Sequence, residues 1–389
     1  MKRLLGPDSL RALSRGCAIL GAGGGGDAYV TLLQVLQATD DFGPVPLVDL
    51  DELPDDALIM PCAGIGATTV ILEKFENGDE GARLREHLQF VTGRRVAALM
   101  AIEIGGGNGL LPITWAARMG LPVVDADGIG RAFPEVPQVI MHLAGIPASP
   151  AVMTDERGNL AVFRTISGDW MERLARAAAV EFGGAASSAE FSLTAAEARG
   201  ATVRNSVSKA IMIGEALAGA KGSPVHALIA ELGAFQLVTG KVLDVERHTT
   251  SGFTRGSVVI EGLREDAGRL IRLELQNENL VALERGRVHA SARASFSSSS
   301  SSTGLDERHG VCDRRGTLRS FRGGRACGAR RARRGVRSGA AGGWALPLVF
   351  RSRAQSRDRQ WQSPCSIGKP RDFCLSRPHR RPRTSRRPG

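Results

Sequence analysis

No run of eighteen apolar residues occurs anywhere in the 389-residue chain, so no helix long enough to cross a bilayer is expected. Two basic residues follow Met1, but Gly6-Pro7 comes next and no apolar h-region follows, so no secretory signal is expected either. Cysteine is nearly missing from the first 286 residues, where only Cys17 and Cys62 occur. Two cysteines make no disulfide framework, and a reducing, cytoplasmic setting is expected. The same stretch lacks His-x-x-x-His and Cys-x-x-Cys spacings, so no closed zinc site is readable.

Acidic charge is scarce at the C-terminal end. Residues 287–389 hold 25 Lys+Arg against 5 Asp+Glu, and Lys369 is their single lysine. Residues 1–286 hold 26 basic against 35 acidic side chains. The basic end also has a six-serine run at 297–302, four cysteines, Trp344 and Trp361, with almost no apolar periodicity. Two readings fit. One is an Arg-rich arm that binds nucleic acid through its phosphates. The other, which the composition favours, is a shifted reading frame beginning near 285–289. A TCG serine repeat read one base away is a GTC valine repeat. A frameshift would leave the preceding domain short of its last strands, with an exposed sheet edge.

The body is organised around residues 101–135. An apolar run at 96–104 ends in Glu103 and the turn Gly105-Gly106-Gly107-Asn108-Gly109; residues 112–119 read as a helix. A second apolar run at 121–124 leads into Asp125, Asp127 and Gly128, then Gly130, Arg131, Pro134 and Glu135. Strand, glycine turn, helix, strand is a βαβ unit of a parallel sheet. Its strands end on one edge, where open α/β folds place ligands. Glu103, Asn108, Asp125, Asp127 and Arg131 are therefore expected around one crevice. Paired carboxylates there suit acid/base chemistry or a divalent metal, with Asp125, Asp127 and Glu135 as candidate ligands. Glu103 is the hardest to read as structural, because a charge inside an apolar run needs a partner.

Elsewhere, residues 10–16 read as a short helix and 17–20 as an apolar run before Gly21-Ala22-Gly23-Gly24-Gly25-Gly26-Asp27 and a helix at 28–38. This matches the Gly-x-Gly-x-x-Gly pattern by which glycine amides approach a dinucleotide phosphate, with Asp49 and Asp51 at ribose spacing. Asp27 puts a negative charge where a phosphate would lie, and four consecutive glycines meet the pattern by composition alone. Residues 152–166 read as a hairpin, 170–182 as a helix, 183–188 as a small-residue linker, and 206–220 and 224–232 as helices. Runs at 235–247, 257–262 and 270–275 read as antiparallel strands. Cys62 and His142 are weaker candidates, and His248 sits in a polar turn able to reach the first domain.

Several of these strings resemble the S-methyl-thiohydantoin desulfurase-domain family, often encoded beside hydantoinase/oxoprolinase subunits. They are Leu20-Gly21-Ala22-Gly23-Gly24-Gly25-Gly26-Asp27, Leu72-Glu73-Lys74, Glu103-Ile104-Gly105-Gly106-Gly107-Asn108, Asp125-Ala126-Asp127-Gly128, Gly130-Arg131-Ala132-Phe133-Pro134-Glu135, Gly252-Phe253-Thr254-Arg255-Gly256 and Asn277-Glu278-Asn279-Leu280. The resemblance covers about residues 8–284 and departs after about Val281. It implies a three-layer α/β N-terminal domain with a mostly parallel sheet over 1–165. A helix-plus-β-barrel-like domain over 166–284, left incomplete by the tail at 285–389, would follow. The implied activity is hydrolytic desulfuration of a thiohydantoin- or hydantoin-like ring. Glu103, Asp125 and Asp127 would be catalytic, and Gly25, Gly26, Asp27, Glu73, Asn108, Arg131, Glu135 and His248 would bind substrate. Implied partners are a small-molecule substrate, hydantoinase/oxoprolinase subunits and further copies of the chain, with no membrane. A nucleotide-binding protein using residues 21–27, or a non-catalytic hydantoinase partner, is the alternative.

Overall fold

The computed structural model describes residues 3–291, and the Arg-rich end lies outside them. Eight strands form the path of the large sheet. They run in space from Arg3–Leu5 through Val45–Val48, Val123–Asp127, Val96–Ala101, Leu58–Gly66, Ala185–Ala189 and Ala151–Thr154 to Leu160–Phe163. The four strands from Val45–Val48 to Leu58–Gly66 pair in parallel, and the pairings outside them are antiparallel. The central strands are apolar almost throughout because both faces are covered. Met60, Leu99 and Val123 pack with the helices Pro7–Leu20, Ala28–Phe42, Glu80–Thr92 and Leu111–Met119. Ile59, Met100 and Val124 pack on the opposite face with Gly168–Glu181 and Ala195–Ala201. This alternation makes a three-layer α/β/α arrangement.

The expected βαβ unit is present as Val96–Ala101, Leu111–Met119 and Val123–Asp127. The sheet also takes in strands beyond residue 165. Residues 183–188, expected as a linker, supply the strand Ala185–Ala189, paired in register with Leu58–Gly66 (Cys62 opposite Ala189). Alanine and serine carry no hydrophobic alternation, so the pattern could not reveal a strand buried by its neighbours.

The helix Ser206–Gly219 crosses Pro7–Leu20 at two glycines. A Cβ on Gly16 would lie 1.8 Å from the Ala210 carbonyl oxygen, and one on Gly214 would lie 1.8 Å from that of Ala12. Gly16→Ala is expected to destabilise the fold by roughly 3 kcal/mol, as overpacking does. A solvated helix would gain about 1 kcal/mol from the same change, so urea denaturation reads the sign.

The C-terminal strands form an open antiparallel meander in chain order: Gly240–Thr250, Phe253–Gly262, Leu270–Gln276, Glu278–Glu284 and Arg287–Ser291. This corrects the barrel-like expectation: among the described residues the sheet does not close. The regular pairing also continues past residue 284, because Arg285 and Gly286 (φ 49° and 75°) make a two-residue hairpin turn of positive φ. No helix among the described residues is long and apolar enough to cross a membrane.

Candidate functional site

Three loops interlock at the carboxyl end of the parallel strands. The first is the glycine loop at 21–26. It follows the helix Pro7–Leu20 and precedes the helix Ala28–Phe42, so it lacks the strand that a dinucleotide fingerprint requires. Its carbonyls serve the second loop: Gly107 N–H donates to Gly26 O (3.1 Å) and Asn108 N–H to Gly25 O (2.9 Å). The third loop joins through Ala132 N–H to Leu20 O (3.1 Å). A Cβ on Gly25 would come within 2.3 Å of Gly105 O. Asp27 caps the following helix, its Oδ1 accepting from Tyr29 N–H (2.7 Å) and Val30 N–H (3.0 Å). The carboxylate therefore takes the amides a phosphate would need. The glycines serve backbone-to-backbone packing.

Glu103 stands where the loops meet, 8% exposed. Its Oε1 accepts from Asn108 Nδ2 (2.8 Å) and its Oε2 from Phe133 N–H (2.7 Å). Burial pushes its carboxyl up to about 7, against those two donors. Asn108 is fully engaged by protein, since Nδ2 also donates to Gly64 O (3.1 Å) and Oδ1 accepts from Gly64 N–H (2.8 Å). It orients Glu103 and lines the cleft.

A second carboxyl arrives from the meander. Glu278 is 1% exposed and lies against Gly24, where a Cβ would be 1.7 Å from Glu278 Oε1. Asn279 N–H donates to Ala22 O (2.8 Å) on the glycine loop and Asn277 Nδ2 to Gly66 O (3.2 Å) at the end of the strand Leu58–Gly66, fixing the start of the meander strand between them. Burial first, then the charge of Glu103, raises the Glu278 carboxyl well above the ordinary range. Arg131 is buried, stacks 4.6 Å from the Phe133 ring centroid, and interacts electrostatically with both Glu278 and Glu103. It acts as the counter-charge of this pair and is not among the cleft-lining side chains. Gly24→Ala is expected to push Glu278 out of place. Urea denaturation should then show a loss of roughly 1–3 kcal/mol, as overpacking at a filled position does.

The cleft is lined by Gly25, Gly26, Gly64, Glu103, Asn108, Phe133, Glu135, Arg176, Glu190 and Glu278. The remaining expected site residues are placed as follows. Asp125 accepts from the Ser208 N–H (3.0 Å) and hydroxyl, capping the helix Ser206–Gly219. Asp127 Oδ2 takes the N–H groups of Ile104 (2.9 Å), Ile129 (3.2 Å) and Gly130 (2.7 Å), pinning two loops together. Glu135 lines the cleft and accepts from Gln276 Nε2 (2.9 Å). Glu73 is exposed and outside the cleft lining. His248 is 66% exposed beside Glu246 on the outer strand of the meander. Asp125, Asp127 and Glu135 each answer to different donors, Ser208, the Ile104, Ile129 and Gly130 amides, and Gln276, and are not brought together as a metal centre. Among the described residues no three His, Cys, Asp or Glu side chains converge on one point.

A neighbouring hollow shares Gly25, Gly26, Gly64 and Asn108 with the cleft and holds Lys74, Glu76, Glu156 and Ser187. Lys74 pairs with Glu156 (2.9 Å), and Ser187 Oγ donates to Glu76 (3.0 Å).

Sequence reasoning assigned no role to Glu190, Arg176 or Glu278. Glu278 carried one signal, a carboxylate between two asparagines in Asn277-Glu278-Asn279. Glu190 followed a stretch read as linker and carried none.

The S-Me-THD-like N-terminal domain matches residues 8–165, and the S-Me-THD-like C-terminal domain matches residues 166–293. A protein of known crystal structure from Chromobacterium violaceum, a structural-genomics target, is similar at 27% identity and a TM-score of 0.59. The match covers 75% of this chain and 80% of that one. No curated protein matches. The two domain matches are consecutive and meet between 165 and 166, within the stretch that feeds the shared sheet. The chain belongs to the S-Me-THD-like family.

Proposed function

We propose that the chain hydrolyses an S-methyl-thiohydantoin-like ring, exchanging the sulfur on a ring carbon for oxygen from water. The observation that carries this reading is the buried pair Glu103 and Glu278 at one cleft, two carboxyls with Arg131 between them electrostatically. Titratable groups pushed apart by their surroundings divide the acid and base work.

Glu103, ionised near neutrality, takes a proton from water as its oxygen bonds to the ring carbon. Glu278, held protonated, gives its proton to the ring nitrogen. The adduct then collapses. The C–S bond breaks, methanethiolate takes the proton held by Glu103, and the hydroxyl proton returns to Glu278. The balance is one water consumed, one carbonyl and one ring N–H formed, and one methanethiol released. Asn108 positions the base, and Arg131 offsets the negative charge as it passes from Glu103 to Glu278 and back. Asp125 and Asp127 have structural roles in this scheme. The hydantoin formed is chemically a substrate for ring-opening, the reaction class of the hydantoinases to which the resemblance points.

The test is thiol release from a 5-substituted S-methyl-thiohydantoin, followed with a thiol reagent, with oxygen-18 from labelled water expected in the product carbonyl. No thiol release across a panel of 5-substituents would refute the reading. Glu278→Gln keeps the shape but cannot shuttle a proton, and is expected to cost about 10²-fold or more in kcat.

A further inference from the structure

Glu190 lies just after the strand Ala185–Ala189, 3% exposed, and lines the same cleft. Its Oε1 accepts from Ser188 Oγ (3.1 Å), while its Oε2 is buried with no partner. A buried carboxyl oxygen left open is costly unless something fills the vacancy. Arg176, the cation whose charge acts on Glu190, does not. It is turned elsewhere, with Nε on Glu172 (2.9 Å), Nη1 on Gly252 O (3.2 Å) and Nη2 on Pro134 O (3.0 Å).

We propose that Glu190 Oε2 is the acceptor for a ring N–H of the bound cyclic amide, so that the site selects rings unsubstituted at that nitrogen. This rests on the ring-hydrolase reading above and adds a recognition element outside the Glu103–Glu278 pair. Ser188 holds one oxygen and so aims the other. Burial pushes the Glu190 carboxyl up to about 7, and an N–H donor arriving at Oε2 favours its ionised form. A site built to pair a polar ligand group discriminates strongly against a ligand lacking it, because the protein atom is then left unpaired.

The experiment is a cycle between residue and ligand, read by calorimetry on the full chain with hydantoin and its N1- and N3-methyl derivatives. In the wild type, one methyl derivative is expected to bind about 10–100-fold more weakly than hydantoin, the range for a hydrogen bond to a charged group. In Glu190→Gln, hydantoin should weaken by a similar factor and the methylation penalty should shrink to within about threefold, since the coupling is gone. Glu190→Asp keeps the carboxylate one methylene short and should weaken hydantoin while retaining part of the penalty, which covers the case of a misfolded glutamine variant. An unchanged penalty in the glutamine variant overturns the role of Glu190 and leaves the ring-hydrolase reading standing. No binding of any of the three rings to the wild type also overturns the role of Glu190, and the thiol-release assay separately decides the ring-hydrolase reading.

Discussion

Replacing Glu103 with glutamine is expected to lower the rate of thiol release by about 10²–10⁴-fold, the usual contribution of a positioned general base. The substitution removes the proton acceptor and leaves the volume intact. Its structural cost is small and local. Glutamine can accept from only one of Asn108 Nδ2 and Phe133 N–H, which now reach the two carboxylate oxygens separately. One buried donor is left facing an amide nitrogen, worth about 1–3 kcal/mol. In the wild type, kcat/KM should rise with pH through about 7 as the buried carboxyl ionises, and the limb should become shallower in the variant, leaving only the share of Glu190. Full activity in Glu103→Gln would remove Glu103 from the mechanism.

Stability is expected to fall as pH rises from about 5 to about 8. Burial raises the carboxyls of Asp127 to about 6, Glu103 and Glu190 to about 7, and Glu76 to about 8. Each is protonated in the folded chain at pH values where the unfolded chain has already lost the proton. The folded state therefore binds more protons, and the unfolding free energy decreases with pH across that window. At about 1.4 kcal/mol per pKa unit, Glu103 alone contributes roughly 3 kcal/mol to this loss. Asp51, Glu246, Asp266 and Glu284 are shifted downward by basic partners and backbone donors. They act the other way, losing their contribution only as pH falls through the acid range, and they are solvent-screened. Urea midpoints at pH 5, 6, 7 and 8 measure the trend, and Glu103→Gln should flatten it by the share of that one group. Stability flat or rising over this range would show that the buried carboxyls are compensated in the native state.

A fold that buries Glu103, Glu190 and Glu278 around one cleft is less stable than one with apolar residues there. Such a cost is common where proton transfer is the task. The same reasoning separates Glu103 from Asp127. Both are buried and both are raised, but Glu103 lines the cleft, whereas Asp127, whose Oδ2 takes three amides of the two loops it joins, does not.

The part of the fold legible in the sequence was the part carried by periodicity. The run at 96–104, the helix after it and the run into Asp125 produced the βαβ unit, because buried parallel strands are apolar on both faces. The helix Pro224–Leu232 was readable to its ends from Ser223, Pro224 and Gly233. The helix expected at 10–16, with a separate apolar run at 17–20, was drawn too short. The run is the last turn of the helix Pro7–Leu20, and that changes what the glycine loop can bind. The strand Ala185–Ala189 was invisible because its small side chains record only that the sheet is close-packed.

The sequence alone determined the acidic body and the basic end, the βαβ unit built on residues 101–135, and the strings that mark the S-Me-THD-like family. It also singled out Glu103, since a carboxylate within an apolar strand end has few structural explanations. Tertiary structure decided which carboxylates meet. Asp125 and Asp127, two residues apart, became a helix cap and a loop pin. Glu190 and Glu278, far along the chain, came to line the cleft with Glu103. The physical reason is that sequence spacing constrains only neighbours on one element. A buried carboxyl's partners are set by loops that interlock through backbone hydrogen bonds and by glycines, such as Gly24, that leave room for a side chain from another sheet.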